Sequence, residues 1–165
     1  MLSESARATT REESRFRIDA PNARSRAVKV IALDRPSAEV LRRLSHRDWR
    51  NAKFLTALSG VDATQPVGAW LAGLAGDTVS LIEEIASANV VVTLSNAGEN
   101  SKMAGVVAEA CRAQGKMLTA LVLDAEHAPE ATLLKTLVPL RPHAAMLVVA
   151  QGEDYVDAML TALRA

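Results

Sequence analysis

Two apolar patterns alternate along the chain. Short continuous runs occur at 28–33 (VKVIAL), 53–58 (KFLTAL), 90–94 (VVVTL), 117–123 (MLTALVL) and 146–150 (MLVVA). Their aliphatic, β-branched composition is that of strands covered on both faces of a parallel sheet. Between them, apolar residues recur at helical spacing. One such stretch is 38–45, and another follows Asp77 through Val79, Leu81, Ile82 and Ile85. A third spans 101–114 through Met103, Val106, Val107, Ala110 and Cys111. Two more run from Pro129 to Val138 and, through Val156 and Leu160, from Glu153 to Leu163. Punctuation supports these limits: Pro36 suits a first turn, Ser37 and Asp77 read as N-caps, and Gly115 as a left-handed C-cap. Alternation of strand and helix predicts an α/β fold, a three-layer α/β/α arrangement with a mainly parallel five-stranded sheet, Rossmann-like or flavodoxin-like in order. The βαβ crossover over 90–124 should be right-handed.

Either order places the 28–33 strand beside the 90–94 strand, with the chain winding away in opposite directions. Ligands of open α/β sheets bind in the crevice at such a switch point. Its rim comprises 34–37 and 95–101. There Asp34, Ser37, Ser95, Asn96, Gly98, Glu99 and Ser101 are the candidate ligand-binding residues. Hydroxyls and helix-start amides at 95–101 would form a cradle for an anionic small molecule. A plain turn followed by a helix cap uses the same residue types. Asp34, Glu99, Asp124 and Glu126 all follow strands on this edge. Converging, such carboxylates would suit Mg²⁺; as solvated loop residues and caps they need no ion. The chain has no HExxH, Cys/His cluster or P-loop, so no metal is expected and no cofactor is identified. Asp124, Glu126 and His127 are the candidate catalytic acids and bases, without a nucleophile assigned to them.

The runs VKVIAL, KFLTAL and NVVVTLSNAG, followed by VVAEACRAQGK and MLTALVLD, resemble in layout the nucleotide-binding half of the FtsZ/tubulin GTPases, over residues 27–150. That resemblance implies a Rossmann-like domain whose strand at 90–94 ends in a phosphate loop. The glycine-rich loops of that family are replaced here by Asp34-Arg35-Pro36-Ser37 and by Asn96–Ser101 with one glycine, so a domain without GTPase activity is expected. LSNAGENS also resembles the phosphate-binding loop of sugar-isomerase (SIS) phosphosugar domains, with Ser95, Gly98, Glu99 and Ser101 at matching positions.

Composition narrows the partners. Nineteen basic residues balance nineteen acidic ones, which argues against nucleic acid or an acidic membrane surface. No apolar run reaches the length of a membrane span. One cysteine allows no internal disulfide and fits a cytoplasmic setting, with Cys111 a small buried hydrophobe. Residues 1–26 read as a polar, Arg-rich tail and 27–165 as a single α/β domain. Val67–Ala75 is an apolar patch around Trp70, read as a short packed helix, a pocket wall or lid, or a contact in a homo-oligomer. His46 and His143 read as surface residues, and Lys102, Glu109 and Arg112 as the wet side of their helix. Three functions fit: binding of an anionic, phosphate-bearing metabolite or nucleotide at 95–101, a phosphosugar isomerase-type or transferase enzyme using Asp124, Glu126 or His127, and a non-catalytic interaction subunit.

Overall fold

The computed structural model describes residues 24–57, 70–74 and 77–165. The expectations for 1–23, for Val67–Ala69 and for Ala75 lie outside these residues. The chain folds as β1 (Val28–Ala32), α1 (Arg35–Ser45), β2 (Ala52–Thr56), β3 (Trp70–Gly73), β4 (Thr78–Ser80), α2 (Leu81–Ala86), β5 (Val90–Asn96), α3 (Ala104–Ala113), β6 (Leu118–Leu123), α4 (Glu130–Leu140), β7 (Met146–Val149) and α5 (Glu153–Leu163).

Among the described residues one seven-stranded sheet runs in the order β4-β3-β2-β1-β5-β6-β7. The five strands expected from the apolar runs are β2, β1, β5, β6 and β7, and all pair in parallel. The sheet has seven strands, not five, because β3 and β4 add an antiparallel hairpin outside β2. Two expectations are thereby corrected. Trp70 opens a strand and not a short helix, because β2 offers an open ladder to Trp70–Gly73. Asp77 does not cap a helix: its carbonyl closes the hairpin by accepting from the Gly73 amide at 2.7 Å. The Thr78-Val79-Ser80 run then pairs as strand, and α2 starts only at Leu81 behind Ser80. Helical spacing through Val79 had hidden this β-branched pair of ladder residues.

Strand residues alternate between two apolar clusters. Ile31, Leu55, Val91, Ala120 and Val122 meet Leu81 and Ile85 of α2, Val107 and Cys111 of α3, and Leu137 and Leu140 of α4. Val30, Ala32, Phe54, Val92, Leu94 and Leu121 meet Leu41 and Leu44 of α1 and Val156 and Leu160 of α5. The Gly115 reading holds in full. Its φ is +62°, its amide donates to Arg112 O, and the Lys116 amide donates to Cys111 O at 2.8 Å. That pair of bonds is a Schellman closure of α3. Cys111 is buried, and burial pushes its thiol up to about 11, which keeps it protonated and unreactive near neutral pH. Among the described residues no helix is long and apolar enough to cross a membrane.

At the amino ends of β1 and β2, Lys29 pairs with Glu84 of α2 at 2.8 Å, and Lys53 contacts the other oxygen of the same carboxylate. Burial works to raise the Glu84 carboxyl, but the hydrogen bonds and charges of Lys29 and Lys53 outweigh it and hold it below the ordinary carboxylate range. A carboxyl with a lowered folded-state pKa contributes stability above its unfolded value, and loses it as pH falls through the folded one. The stability gap between the native chain and Glu84→Gln should therefore be full near neutrality and close below about pH 4. Urea unfolding of both proteins at the two pH values measures it.

Candidate functional site

The switch point lies between β1 and β5, the two strands from which the parallel order departs to either side. Only Leu33 and Asp34 separate β1 from α1. Asp34, not Ser37, is the N-cap of α1: its Oδ1 accepts from the Ser37 amide at 2.8 Å. Its Oδ2 accepts from the Asn96 amide at 2.8 Å. Both oxygens of this buried carboxylate are thus committed to backbone N–H groups, across the switch point as well as within α1. Ser37 lies inside α1, fully buried, and its hydroxyl donates to Asn96 Oδ1 at 3.3 Å.

Asn96 is the joint of the site. Its side-chain amide donates to Asp124 Oδ2 at 2.6 Å, and its carbonyl accepts from the Glu99 amide at 3.1 Å. One residue at the end of β5 therefore touches the β1–α1 junction, the turn that follows it and the end of β6. Asp124 holds a left-handed backbone, φ +55°, a conformation that Asp tolerates better than most residues.

The turn after β5 is pinned from α4. Thr136, fully buried, accepts from the Gly98 amide at 2.9 Å and donates to the Glu99 carbonyl at 3.1 Å. Sequence reasoning missed Thr136. Its signal was a lone hydroxyl on the otherwise aliphatic stripe Leu133, Leu137, Leu140. Gly98 has φ +92°, and a Cβ there would stand 2.7 Å from Thr132 Cγ2. The glycine serves the turn and its fit against α4.

The amides of Asn96, Ala97, Gly98 and Glu99 are consequently all engaged within the protein, so these four do not form the expected cradle. The Asn100 and Ser101 amides, on the turn ahead of the α3 N-cap Met103, have no acceptor among the described residues. Ser101 does not cap α3 through its side chain; that hydroxyl pairs with Ser95 Oγ at 3.1 Å, and both residues are 1% exposed. Thr93 lies two residues earlier on the same face of β5. It too is 1% exposed, and its hydroxyl has no partner among the described residues.

Lys102 and Glu99 are exposed at the mouth, as are Arg35 and Asp124. The three candidate acids and bases each have a separate setting. Asp124 is taken up by Asn96, Glu126 by the side-chain amide of Gln151, and His127 is exposed on the loop before α4. Among the described residues no three His, Cys, Asp or Glu side chains gather as a cation site. No protein-family model and no curated protein matches this chain.

Proposed function

We propose that this chain is a three-layer, flavodoxin-like protein that binds a small anionic, phosphate-bearing molecule at the β1/β5 switch point and does not hydrolyse GTP. The observation that carries the reading is the amide of exposed Asn100, without an acceptor among the described residues, on the turn that leads from the switch point into α3. An anion there gains a hydrogen bond from the Asn100 amide and approaches the positive end of α3. Lys102 adds a point charge at the same mouth. Asp34 does not oppose the ligand, because two backbone amides already hold its charge. The two-residue β1–α1 junction leaves no flexible phosphate loop on that side, which is the reason for excluding GTP turnover. A cytoplasmic setting, with the single cysteine buried and reduced, belongs to the same proposal.

Glu99 is the group that tests the mode of binding. For direct contact with phosphate, Glu99→Gln removes a like charge and should tighten binding several-fold, while Lys102→Glu should weaken it by about tenfold. A calorimetric and thermal-shift series with inorganic phosphate, sugar phosphates and nucleotides reads both. A bound anion at 100 times its Kd should add about 2.7 kcal/mol of stability. No stabilisation by any member of the series, at millimolar concentration, would overturn the proposal.

A further inference from the structure

The parallel strands enter the sheet at the edge opposite the switch point, and that edge is basic. Among the described residues, the connections into β1, β2, β5, β6 and β7 carry Arg24, Arg26, Arg47, Arg50, Lys116 and Arg141 against one acid, Asp48. A balance of nineteen and nineteen taken over the whole chain does not register this local excess. Arg47 is answered by Asp157 of α5, and the Lys116 ammonium donates to Ala88 O at 2.7 Å, beside the start of β5. Arg24, Arg26 and Arg50 are exposed and have no ion-pair partner among the described residues. Two adjoining clefts lie among these cations. The larger, about 630 Å³, opens between residues 47–50 and the end of α5, which the Arg50 amide joins by donating to Ala165 O at 3.0 Å. Its walls include Arg50, Arg164, Thr161 and Trp49, with Asp48 beside them. Trp49 is fixed there: its Nε1 donates to Leu44 O at 2.8 Å, and the Arg47 guanidinium lies 5.6 Å from the ring centre. The smaller cleft, about 370 Å³, is lined by Arg24, Ser25, Arg26 and Asn89. Ser25 joins the two, its hydroxyl donating to Arg164 O at 2.8 Å.

We propose that this edge binds single-stranded nucleic acid, the Trp49 cleft receiving one base and Arg24, Arg26, Arg50 and Arg164 the phosphates to either side. The chemistry favours this occupant over an acidic peptide. Guanidinium forks suit carboxylate and phosphate alike. An indole set among arginines adds a stacking surface for which a run of carboxylates has no use. The larger cleft has the volume of a small-ligand site, wide enough for a nucleoside. A duplex keeps its bases stacked inside and gains nothing from it. Thr161 and Asn89 supply hydrogen-bonding groups at the two clefts, of the kind that meet base edges. The site stands apart from the switch point, on the opposite edge of the sheet, and does not depend on what binds there.

Fluorescence anisotropy of the full chain with a labelled oligothymidylate of about eight residues, free of terminal phosphate, tests this. Binding should appear at micromolar protein in about 50 mM salt. With four phosphate contacts, a rise to about 200 mM salt should weaken it roughly 50-fold. Arg50→Glu and Arg26→Glu should each weaken it by about tenfold or more and flatten that salt dependence. Both positions are exposed, so the variants should unfold as the native chain does; where one does not, the other carries the test. Stacking is read separately: in a Trp70→Phe chain the oligonucleotide should quench the emission of Trp49. Lys102→Glu, at the switch point, should leave oligonucleotide binding unchanged, which separates this site from the one proposed there. Absence of binding at low salt, indifference to both arginine reversals, an unquenched Trp49, or displacement by polyglutamate as effective as by unlabelled oligothymidylate would each overturn the proposal.

Discussion

Asp34→Ala is expected to lower the unfolding free energy by about 3 kcal/mol, the largest effect of any single site substitution here. Two independent losses add. The cap of α1 goes with the Oδ1 bond to the Ser37 amide, a change that costs about 1 kcal/mol at ordinary helix starts. The Oδ2 bond to the Asn96 amide goes as well, and a backbone N–H left without an acceptor in a part-buried place costs about 1–3 kcal/mol. Asp34→Asn separates the two. Its one carbonyl oxygen keeps the cap while its NH₂ faces the Asn96 amide, donor against donor, so it should recover only the smaller share. Urea unfolding of the three proteins, read at one pH, gives the comparison. An alanine variant within about 0.5 kcal/mol of the native chain would show that the carboxylate does not bind the two junctions together.

Thr136→Val is expected to cost about 2 kcal/mol and to free the turn after β5. The substitution keeps shape and removes only the hydroxyl, which in the native chain accepts from Gly98 and donates to the Glu99 carbonyl. Both backbone groups then lack a protein partner. Thr136→Ser should restore most of the loss. Amide exchange discriminates this account from general destabilisation: protection should fall at Gly98 in the valine variant more than in α3 or β5. The variant also bears on ligand binding, because the open amides at 100 and 101 follow directly from the turn that Thr136 holds. A looser turn should weaken the proposed phosphate binding even where the fold persists.

The parts of the fold that were legible are those where one physical requirement dominates. Continuous aliphatic runs identified all five parallel strands; in β1, β5 and β6 burial on both faces accounts for that composition. Gly115 identified the end of α3, since its left-handed backbone suits few other residues. The hairpin at 70–80 was not legible, because Val79, Leu81, Ile82 and Ile85 satisfy a helical period while Thr78–Ser80 finds a ladder partner only through the tertiary pairing with β3. The position of the β1/β5 switch point followed from the alternation of elements. Its wiring did not. Asp34, Ser37 and Ser101 each suit a cap by residue type, and only the approach of Asn96 determines that Asp34 serves α1 while Ser101 turns to Ser95. Thr136 lies 40 residues from Asn96 in sequence, beyond the reach of any local pattern.

The sheet's two apolar faces raise the question of what fixes the strands against one another. A one-residue slip of β1 turns every side chain to the opposite face, and in this protein the opposite face is also apolar, so burial alone penalises the slip little. The polar contacts at the ends of β1 supply the missing discrimination. At one end Lys29 and Lys53, opposite each other on β1 and β2, share the Glu84 carboxylate. At the other, Asp34 reaches the Asn96 amide at the end of β5. A slip breaks both at once and buries a lysine against the α1/α5 side. The few ionic groups near the core thus act as an alignment key, selecting a single pairing among several that hydrophobicity would accept.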